Sequence, residues 1–270
     1  MAATYLREDI AALWSQRDAL SEARALDGEV FREVARRKTM KVEIAGRAYF
    51  VKLHHGVGWP EIVKNWLVLK RPVLGARNEF EACRHLERSN IVAPRVAAFG
   101  ESDGLPAARF SFVLCDALED YEDLEIMTNR WFDQPPSALE VRHWVMAVAQ
   151  FARRFHEAGV VHRDFYLCHL LARRGDPNAP LGVLDLHRAL IFDNVPEKWR
   201  LRDLAALLYS SLDLGINRRA WLRFVRVYTD KPLREVFAED GDFWLAVYRR
   251  ACDLYAKGRR KNLVRGNFSS

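Results

Sequence analysis

The stretch that decides the fold is Val160-Val161-His162-Arg163-Asp164-Phe165-Tyr166-Leu167-Cys168-His169-Leu170-Leu171. It begins with a β-type apolar pair, continues with a polar triplet and ends with a second apolar pair. Apolar residues of this kind are expected to be buried. A loop held between two buried anchors can present one carboxylate at a fixed position. Asp164 is therefore our first candidate for a catalytic residue.

The triplet His162-Arg163-Asp164 resembles the core of the protein-kinase catalytic loop, His-Arg-Asp-Leu-x-x-x-Asn. In that loop the aspartate accepts the proton of the attacking hydroxyl group. The position of the metal-binding asparagine is occupied here by His169. Histidine can ligate a metal, but Mg²⁺ prefers oxygen. Either the metal is held mainly by another carboxylate, or His169 contacts substrate or phosphate.

A suitable carboxylate follows 21 residues after Asp164. Residues 181–184 form an apolar run that predicts a strand, and Asp185 ends it. Asp185-Leu186-His187 matches the position of the kinase Asp-Phe-Gly motif, whose aspartate holds Mg²⁺ against the β- and γ-phosphates. We therefore expect Asp185 to be the main metal ligand.

The N-terminal part predicts three antiparallel strands over residues 30–35, 40–44 and 48–53. The hairpin Arg36-Arg37-Lys38-Thr39 has no glycine, although kinases have a glycine-rich hairpin there. Arg37 can hold nucleotide phosphates by charge, but a solvated turn is an equal alternative. Lys52 near the end of the third strand resembles the lysine of Val-Ala-Ile-Lys, which contacts the α- and β-phosphates.

A kinase also needs a glutamate on the next helix to orient its lysine. The pattern predicts a helix capped by Asn78, and Glu79 at its start is preferred to Glu81. Residues 110–115 predict a buried strand that leads into the connection between two lobes. Backbone groups at Asp116 and Leu118 are expected to bind an adenine edge.

Residues 54–77 form a basic and aromatic insert. Ile62, Trp66 and Leu69 can share one helical face. Such a helix can lie on anionic lipid or grip an acyl chain, or it can pack on the small lobe. The pair His54-His55 has no further ligand at metal spacing.

Two helices are predicted to flank the catalytic stretch. Ser137 and Glu140 form a capping-box pattern before a wide apolar stripe, and Gly159 ends that helix. Asp203 begins a later helix, where it either braces the catalytic loop or is an acid favoured by the helix dipole. Residues 5–25 predict an amphipathic helical opening.

The chain has 270 residues, of which 50% are apolar, and a formal net charge of +6. This is enough for an α+β, two-lobed, protein-kinase-like fold with a β-rich domain 1–115 and a helical domain 116–270. The basic balance favours anionic partners. Four dispersed cysteines, the absence of a signal peptide and the absence of a long apolar run predict a cytoplasmic protein.

The resemblance extends to one family, the bacterial lipopolysaccharide core heptose kinases. It rests on residues 162–171 and on five further groups: Gly28-Glu29-Val30-Phe31-Arg32-Glu33, Tyr49-Phe50-Val51-Lys52, Arg71-Pro72-Val73-Leu74-Gly75-Ala76, Leu184-Asp185-Leu186-His187-Arg188-Ala189 and Leu208-Tyr209-Ser210-Ser211. The resemblance implies phosphorylation of an inner-core heptose with ATP and Mg²⁺. The resemblance favours the first heptose as acceptor. Phe165 stands where a cysteine is expected and residues 115–131 match poorly, which leaves the second heptose open.

By position, the resemblance assigns roles to Lys52, Glu79, Asp164 and Asp185, and His169 fits the family. Its implied partner is the lipid-linked core oligosaccharide, rich in carboxylates and phosphates, at the cytoplasmic face of the inner membrane. Candidate contacts to it are Arg163, His187, Arg188 and the basic residues between 64 and 77. An acyl-bearing partner, either lipid A or acyl carrier protein, and an anionic membrane surface are expected at the insert.

Three other functions compete with this one. A related kinase would act on a small molecule or a protein without lipid-linked sugar. A kinase-fold binding module without turnover usually lacks the lysine, the catalytic aspartate or the metal aspartate, and all three are present here. A nucleic-acid binder is disfavoured because the aromatic residues lie at core spacing rather than in a stacking row.

Overall fold

The computed structural model describes residues 3–15, 17–34, 36–56, 75–104 and 109–260. The chain divides into two compact units. The first comprises residues 1–119 with 185–189, and the second comprises 120–184 with 190–270. The predicted division after residue 115 lies close to the first of these boundaries but does not anticipate segment 185–189. Most of the insert, residues 57–74, lies outside the described residues, and so does its predicted helical face.

The first unit contains a six-stranded antiparallel sheet with the order β1-β5-β6-β4-β3-β2. Its strands are β1 (Ala3–Leu6), β2 (Glu29–Val34), β3 (Arg37–Ile44), β4 (Arg47–His55), β5 (Val96–Glu101) and β6 (Phe110–Asp116). The three strands predicted between residues 30 and 53 are confirmed as β2, β3 and β4. Lys52 of β4 is opposite Thr39 of β3 and Val113 of β6, so it lies inside the sheet.

Three described helices accompany this sheet: α1 (Glu8–Leu13), α2 (Ala19–Ala25) and α3 (Arg77–Arg88). The prediction of a helix from residue 5 was wrong at its start, because β1 pairs with β5 and the N–H group of Arg7 bonds to the carbonyl of Ala97. The predicted cap of α3 was also wrong, since Ala76 rather than Asn78 precedes its first turn. Neither a partner strand nor a cap conformation is visible in a local apolar pattern.

The second unit is mainly helical. Its helices are α4 (Leu124–Asn129), α5 (Ala138–Glu157), α6 (Glu197–Ser211), α7 (Arg218–Thr229), α8 (Leu233–Glu239) and α9 (Gly241–Arg260). Its strands are β7 (Tyr121–Asp123), β8 (Val160–Val161), β9 (Leu170–Arg173), β10 (Gly182–Val183) and β11 (Leu190–Ile191). They form a three-stranded sheet, β10-β9-β7, and a pair, β11-β8.

Helix α5 delivers the chain to the catalytic stretch, as predicted. The Ser137 side chain accepts a hydrogen bond from the Glu140 N–H group and caps its start. Gly159 follows its end with a φ of +79°. A Cβ atom there would lie 2.0 Å from the carbonyl oxygen of Phe192, so both the φ angle and the close approach require glycine. Within the described residues, no helix combines the length and the apolar character needed to cross a membrane.

Candidate active site

The catalytic loop of the second unit is held from both sides. Phe165, next to Asp164, is fully buried and stacks on Phe151 and Phe155 of helix α5. On the other side the carboxylate of Asp203 in α6 accepts hydrogen bonds from the backbone N–H groups of His162 (2.7 Å) and Arg163 (2.9 Å). The interpretation of Asp203 as a brace for this loop is therefore confirmed.

The imidazole of His162 also fixes the loop. It is fully buried, and burial lowers the pKa of His162, which keeps the ring neutral. Nε2 lies 2.8 Å from the carbonyl oxygen of Leu184, to which it can donate, and Nδ1 accepts the N–H group of Asp164 at 3.3 Å. One neutral tautomer thus satisfies both contacts.

His169 is connected to the backbone of the same loop. Its Nδ1 lies 2.7 Å from the carbonyl oxygen of Asp164, which makes Nδ1 the donor, and its ring stacks on His162 with centroids 5.2 Å apart. In the neutral ring this leaves the lone pair on Nε2. A metal contact by His169 would therefore use the lone pair of Nε2, whereas a phosphate contact there would need a proton on Nε2.

Behind Asp203 lies a pair of residues that the sequence did not point out. The ring of His156, at the end of α5, has Nδ1 2.8 Å from the hydroxyl of Tyr228 and Nε2 3.5 Å from the Asp203 carboxylate. Burial raises the pKa of Tyr228 well above its usual range, so its hydroxyl keeps its proton and can donate to Nδ1. The only sequence signal for His156 was its place on the buried stripe of α5.

The first unit contains an ionic cluster centred on Lys52. Its Nζ lies 2.5 Å from Oε1 of Glu79 on α3 and 3.2 Å from Oδ1 of Asp185. The predicted pairing of Lys52 with Glu79 is confirmed as a contact. Glu81, the rival candidate, instead lies on the surface, 3.7 Å from Arg77.

Asp185 is surrounded by three cationic or protonatable groups. Its Oδ1 also lies 3.2 Å from the guanidinium of Arg37 and 2.8 Å from Nδ1 of His187. Burial alone would raise the pKa of Asp185, but the hydrogen bond from His187 and the charges of Lys52 and Arg37 hold it well below its usual range. The carboxylate is thus ionised at neutral pH.

Lys52 is charged for the complementary reason. Burial alone would lower its pKa, but the charges of Glu79 and Asp185 outweigh that effect and raise the pKa of Lys52 above its ordinary value. Oε2 of Glu79 is buried and has no hydrogen-bond partner among the described residues. The cluster therefore combines one buried ammonium group with two carboxylates of different accessibility.

The other predicted site residues lie at the edges of the first unit. Arg37 is the first residue of β3, beside the basic hairpin, and its guanidinium forms an ion pair with Asp185. Arg188 ends the short turn that contains His187. At the end of β6, the Asp116 carboxylate forms two 2.8 Å bonds with Arg7, and its N–H group bonds to the carbonyl of Arg95.

The backbone groups of Asp116 are thus partly engaged before any nucleotide binds, a detail that the sequence could not predict. The backbone N–H and C=O groups of Leu118 make no hydrogen bonds to the described residues. A donor and an acceptor without a partner among the described residues can bind the edge of a purine. Leu118 therefore meets this requirement better than Asp116.

Comparisons with known proteins agree with this geometry. The model of the lipopolysaccharide kinase (Kdo/WaaP) family matches residues 21–228. The chain is 42% identical to the lipopolysaccharide core heptose(I) kinase WaaP of Pseudomonas aeruginosa, over 94% of this chain and 97% of that protein. It is 36% identical to the protein of the same name from Escherichia coli strain K12, over 96% and 99% respectively.

Solved structures give the same result for the fold. WaaP in complex with acyl carrier protein superposes with a TM-score of 0.80 at 37% identity, over 94% of this chain and 99% of that chain. The BubR1 kinase domain superposes with a TM-score of 0.52 at 11% identity, over 83% of each chain, which bears on the fold alone. The predicted α+β, protein-kinase-like fold is confirmed.

Proposed function

Because this chain belongs to the lipopolysaccharide kinase (Kdo/WaaP) family, we propose that it transfers a phosphoryl group from ATP to a hydroxyl of the first heptose of the lipopolysaccharide core. The observation that carries the proposal is the buried ion pair between Lys52 and Glu79, a pair that phosphoryl transfer by kinases requires. The second heptose is the alternative acceptor. The names of the relatives favour the first.

In this reaction Lys52 contacts the α- and β-phosphates of ATP, and Glu79 keeps its ammonium group in position. Arg37 provides a second cation for the phosphates in place of a glycine-rich loop. Leu118 and Asp116 bind the adenine edge through their backbone groups, with Leu118 contributing more because its groups have no partner among the described residues. Positioning and charge stabilisation supply most of the catalysis.

Asp164 accepts or orients the proton of the attacking heptose hydroxyl. Its loop is held by Asp203 and His162, so the carboxylate is placed before substrate binds. Arg163, His187 and Arg188 contact the acidic groups of the core oligosaccharide. A guanidinium group suits this task because it binds carboxylates and phosphates in a bidentate manner.

Asp185 would hold Mg²⁺, with His169 as a further ligand through Nε2. Asp185 fits because it is an ionised carboxylate, the oxygen ligand that this ion prefers. Among the described residues, no group of three or more histidine, cysteine or acidic side chains lies at metal distance. Mg²⁺, when bound, offsets charge on the phosphoryl oxygens.

The proposal includes an acyl carrier protein as partner. A relative at 37% identity was solved in complex with acyl carrier protein. The second unit contains a cavity of about 480 Å³ whose lining is mainly apolar and includes Leu124, Met127, Trp144, Val148, Leu208 and Trp221. A cavity of this size and polarity suits an acyl chain. Lipid A is the alternative source of such a chain, and the protein would then act at the cytoplasmic face of the inner membrane.

The activity is tested by incubating the protein with ATP, Mg²⁺ and purified core lipopolysaccharide that lacks heptose phosphate. Mass spectrometry should show a gain of one phosphate, and phosphorus NMR should place it on the first heptose. Asp164→Asn, which keeps the size of the side chain, should reduce kcat about 10²- to 10⁴-fold. A product on the second heptose would correct the acceptor, and no product with ATP bound would refute the proposed acceptor class.

The partner is tested with acylated and unacylated acyl carrier protein in separate binding titrations. Val148→Trp fills the cavity and should weaken binding of the acylated form only. Leu139→Trp, at a position 76% exposed on the same helix, is the matched control and should bind both forms as the wild type does. Equal binding of both forms by the wild type would argue against an acyl site in the cavity.

A further inference from the structure

Trp199, in the first turn of helix α6, carries three cationic groups on its indole ring. The guanidinium carbons of Arg202 and Arg163 lie 4.7 Å and 5.4 Å from the ring centroid, and Nζ of Lys198 lies 5.9 Å from it. Lys198 and Arg202 are exposed, and neither forms an ion pair with any residue that the structure describes. Three cationic side chains therefore lie around one ring, and no described carboxylate pairs with Lys198 or Arg202.

Two arginines elsewhere in the chain are held differently. Arg7 binds the carboxylates of Asp9 and Asp116, and Arg153 binds those of Glu157 and Asp230. A carboxylate neutralises the guanidinium and occupies its N–H groups. An aromatic face orients the guanidinium plane but leaves its charge and its in-plane donors available to an anion. Trp199 thus holds Arg202 in place without consuming its capacity to bind.

The position of this group relates it to the catalytic loop of the same unit. Arg163 directly precedes Asp164, and its backbone N–H group is bound by Asp203. Trp199 and Asp203 are four residues apart on α6, so they lie on adjacent turns of one helix face. The helix that braces the loop therefore also orients the cations, and both share one rigid support.

We propose that Trp199, Lys198 and Arg202, together with Arg163, form a binding site for an acidic group, a carboxylate or a phosphate, on the sugar acceptor. The proposal rests on the proposed function and adds three residues that neither the motifs nor the comparisons assign. Trp199 is a positioning residue, and Lys198 and Arg202 bind the anion. A neutral acceptor of equal size loses these contacts and leaves the cations uncompensated.

The test measures binding rather than turnover. The ligand is the core oligosaccharide freed of acyl chains, in three forms: intact, with its carboxylates reduced to alcohols, and with its phosphates removed. Calorimetric titration gives Kd for each form with the wild type, Arg202→Gln and Arg202→Glu. Arg219→Glu is the matched control. Arg219 is also exposed and forms no ion pair with any described residue, but it lies on α7 rather than on α6.

We expect Arg202→Glu to raise the Kd of the intact oligosaccharide at least about tenfold, because the variant loses the guanidinium bond and adds a carboxylate that repels the anion. Arg202→Gln should raise the Kd less, because it only loses the guanidinium bond. Arg219→Glu should leave it unchanged, and the Kd of ADP should be the same in all four proteins. If the Arg202 variants and the wild type bind the carboxylate-reduced form equally well, the anion is a carboxylate. If they bind the phosphate-free form equally well, the anion is a phosphate. Trp199→Leu should have an intermediate effect and reduce the dependence of Kd on salt concentration.

Two results would overturn the proposal. One is an unchanged Kd for the intact oligosaccharide in Arg202→Glu. The other is a loss of ADP binding in the same variant, which would move the site to the nucleotide. Phosphoryl transfer by the wild type is measured in parallel, so a failed anion site with normal transfer leaves the proposed function intact.

Discussion

Asp203 and Asp185 are both carboxylates at predicted functional positions, but they are held by different kinds of partner. Asp203 is completely buried and accepts hydrogen bonds from the backbone N–H groups of His162 and Arg163. Asp185 keeps 23% of its side chain exposed and contacts the side chains of Lys52, Arg37 and His187. The partners of Asp203 are backbone groups, which are fixed by the fold. The partners of Asp185 are side chains, which can change rotamer.

This difference suits Asp203 to a structural role and Asp185 to the role that the proposed function gives it. Backbone donors cannot leave without unfolding the loop, so Asp203 fixes the position of the residues around Asp164. Side-chain cations can exchange one anion for another at small cost. In the proposed function, Lys52 and Arg37 would exchange Asp185 for nucleotide phosphates, and Asp185 would hold the metal ion.

The largest effect should come from replacing the two carboxylates themselves. Asp203→Ala leaves one buried and one partly buried N–H group without this acceptor and should lower the free energy of unfolding by about 3 kcal/mol. Asp185→Ala should cost less, about 1–2 kcal/mol, because Lys52 keeps Glu79 as a partner and the side chains of Arg37 and His187 stay partly exposed. Urea unfolding of both variants measures the contrast. Equal losses of unfolding free energy in the two variants would show that backbone and side-chain partners hold these carboxylates equally firmly.

Glu79→Gln should produce the next largest effect. It leaves the buried ammonium of Lys52 with Asp185 as its one remaining carboxylate partner among the described residues, and should reduce the free energy of unfolding by about 2 kcal/mol. Glu81→Gln is the natural control, since the exposed pair with Arg77 contributes less than about 0.5 kcal/mol. If Glu81→Gln destabilised the protein as much, the assignment of the helix glutamate would be wrong.

The pH dependence of stability should separate the Lys52 cluster from its neighbour His54. Burial, followed by the charges of Arg37 and Lys52, lowers the pKa of His54 to about 3. Below a pH of about 6.5 the unfolded chain binds a proton that the folded chain refuses, so stability should fall by up to about 1 kcal/mol per pH unit between pH 6 and 4.

The lowered pKa of Asp185 acts in a different window. Its stabilising contribution is present above the unfolded pKa near 4 and is lost only as pH falls below that value. His54→Gln should therefore flatten the stability curve between pH 6 and 4 and leave the loss below pH 4. Chemical denaturation in a pH series measures both slopes. An unchanged slope above pH 4 in His54→Gln would show that another group is responsible.

Tyr228→Phe should give the smallest effect. It removes the hydroxyl that bonds to His156 behind Asp203 and should cost about 1 kcal/mol of stability. Because the two backbone bonds to Asp203 are retained, kcat should fall less than in an Asp203 variant. Thermal unfolding and steady-state kinetics on the same preparation test this order. A larger loss of kcat than in Asp203→Asn would show that His156, not the backbone, holds the loop.

Local pattern was sufficient for much of the fold and of the site. Alternation located β2, β3 and β4, and the capping pattern at Ser137 with the glycine at 159 bounded helix α5. Spacing along the chain was enough to choose Glu79 over Glu81 as the partner of Lys52. These features depend on periodicity and on short-range geometry, which a linear sequence records directly.

Long-range pairing decided the remainder. No local signal joins Arg7 to Asp116, Arg37 to Asp185 or Tyr228 to His156, since each pair is separated by more than 70 residues. Residue types and their spacing along the chain indicate which groups phosphoryl transfer needs. The partners that hold each of these groups depend on which strands and helices pack together. The cations around Trp199 were missed for the same reason, because a ring contact has no sequence period.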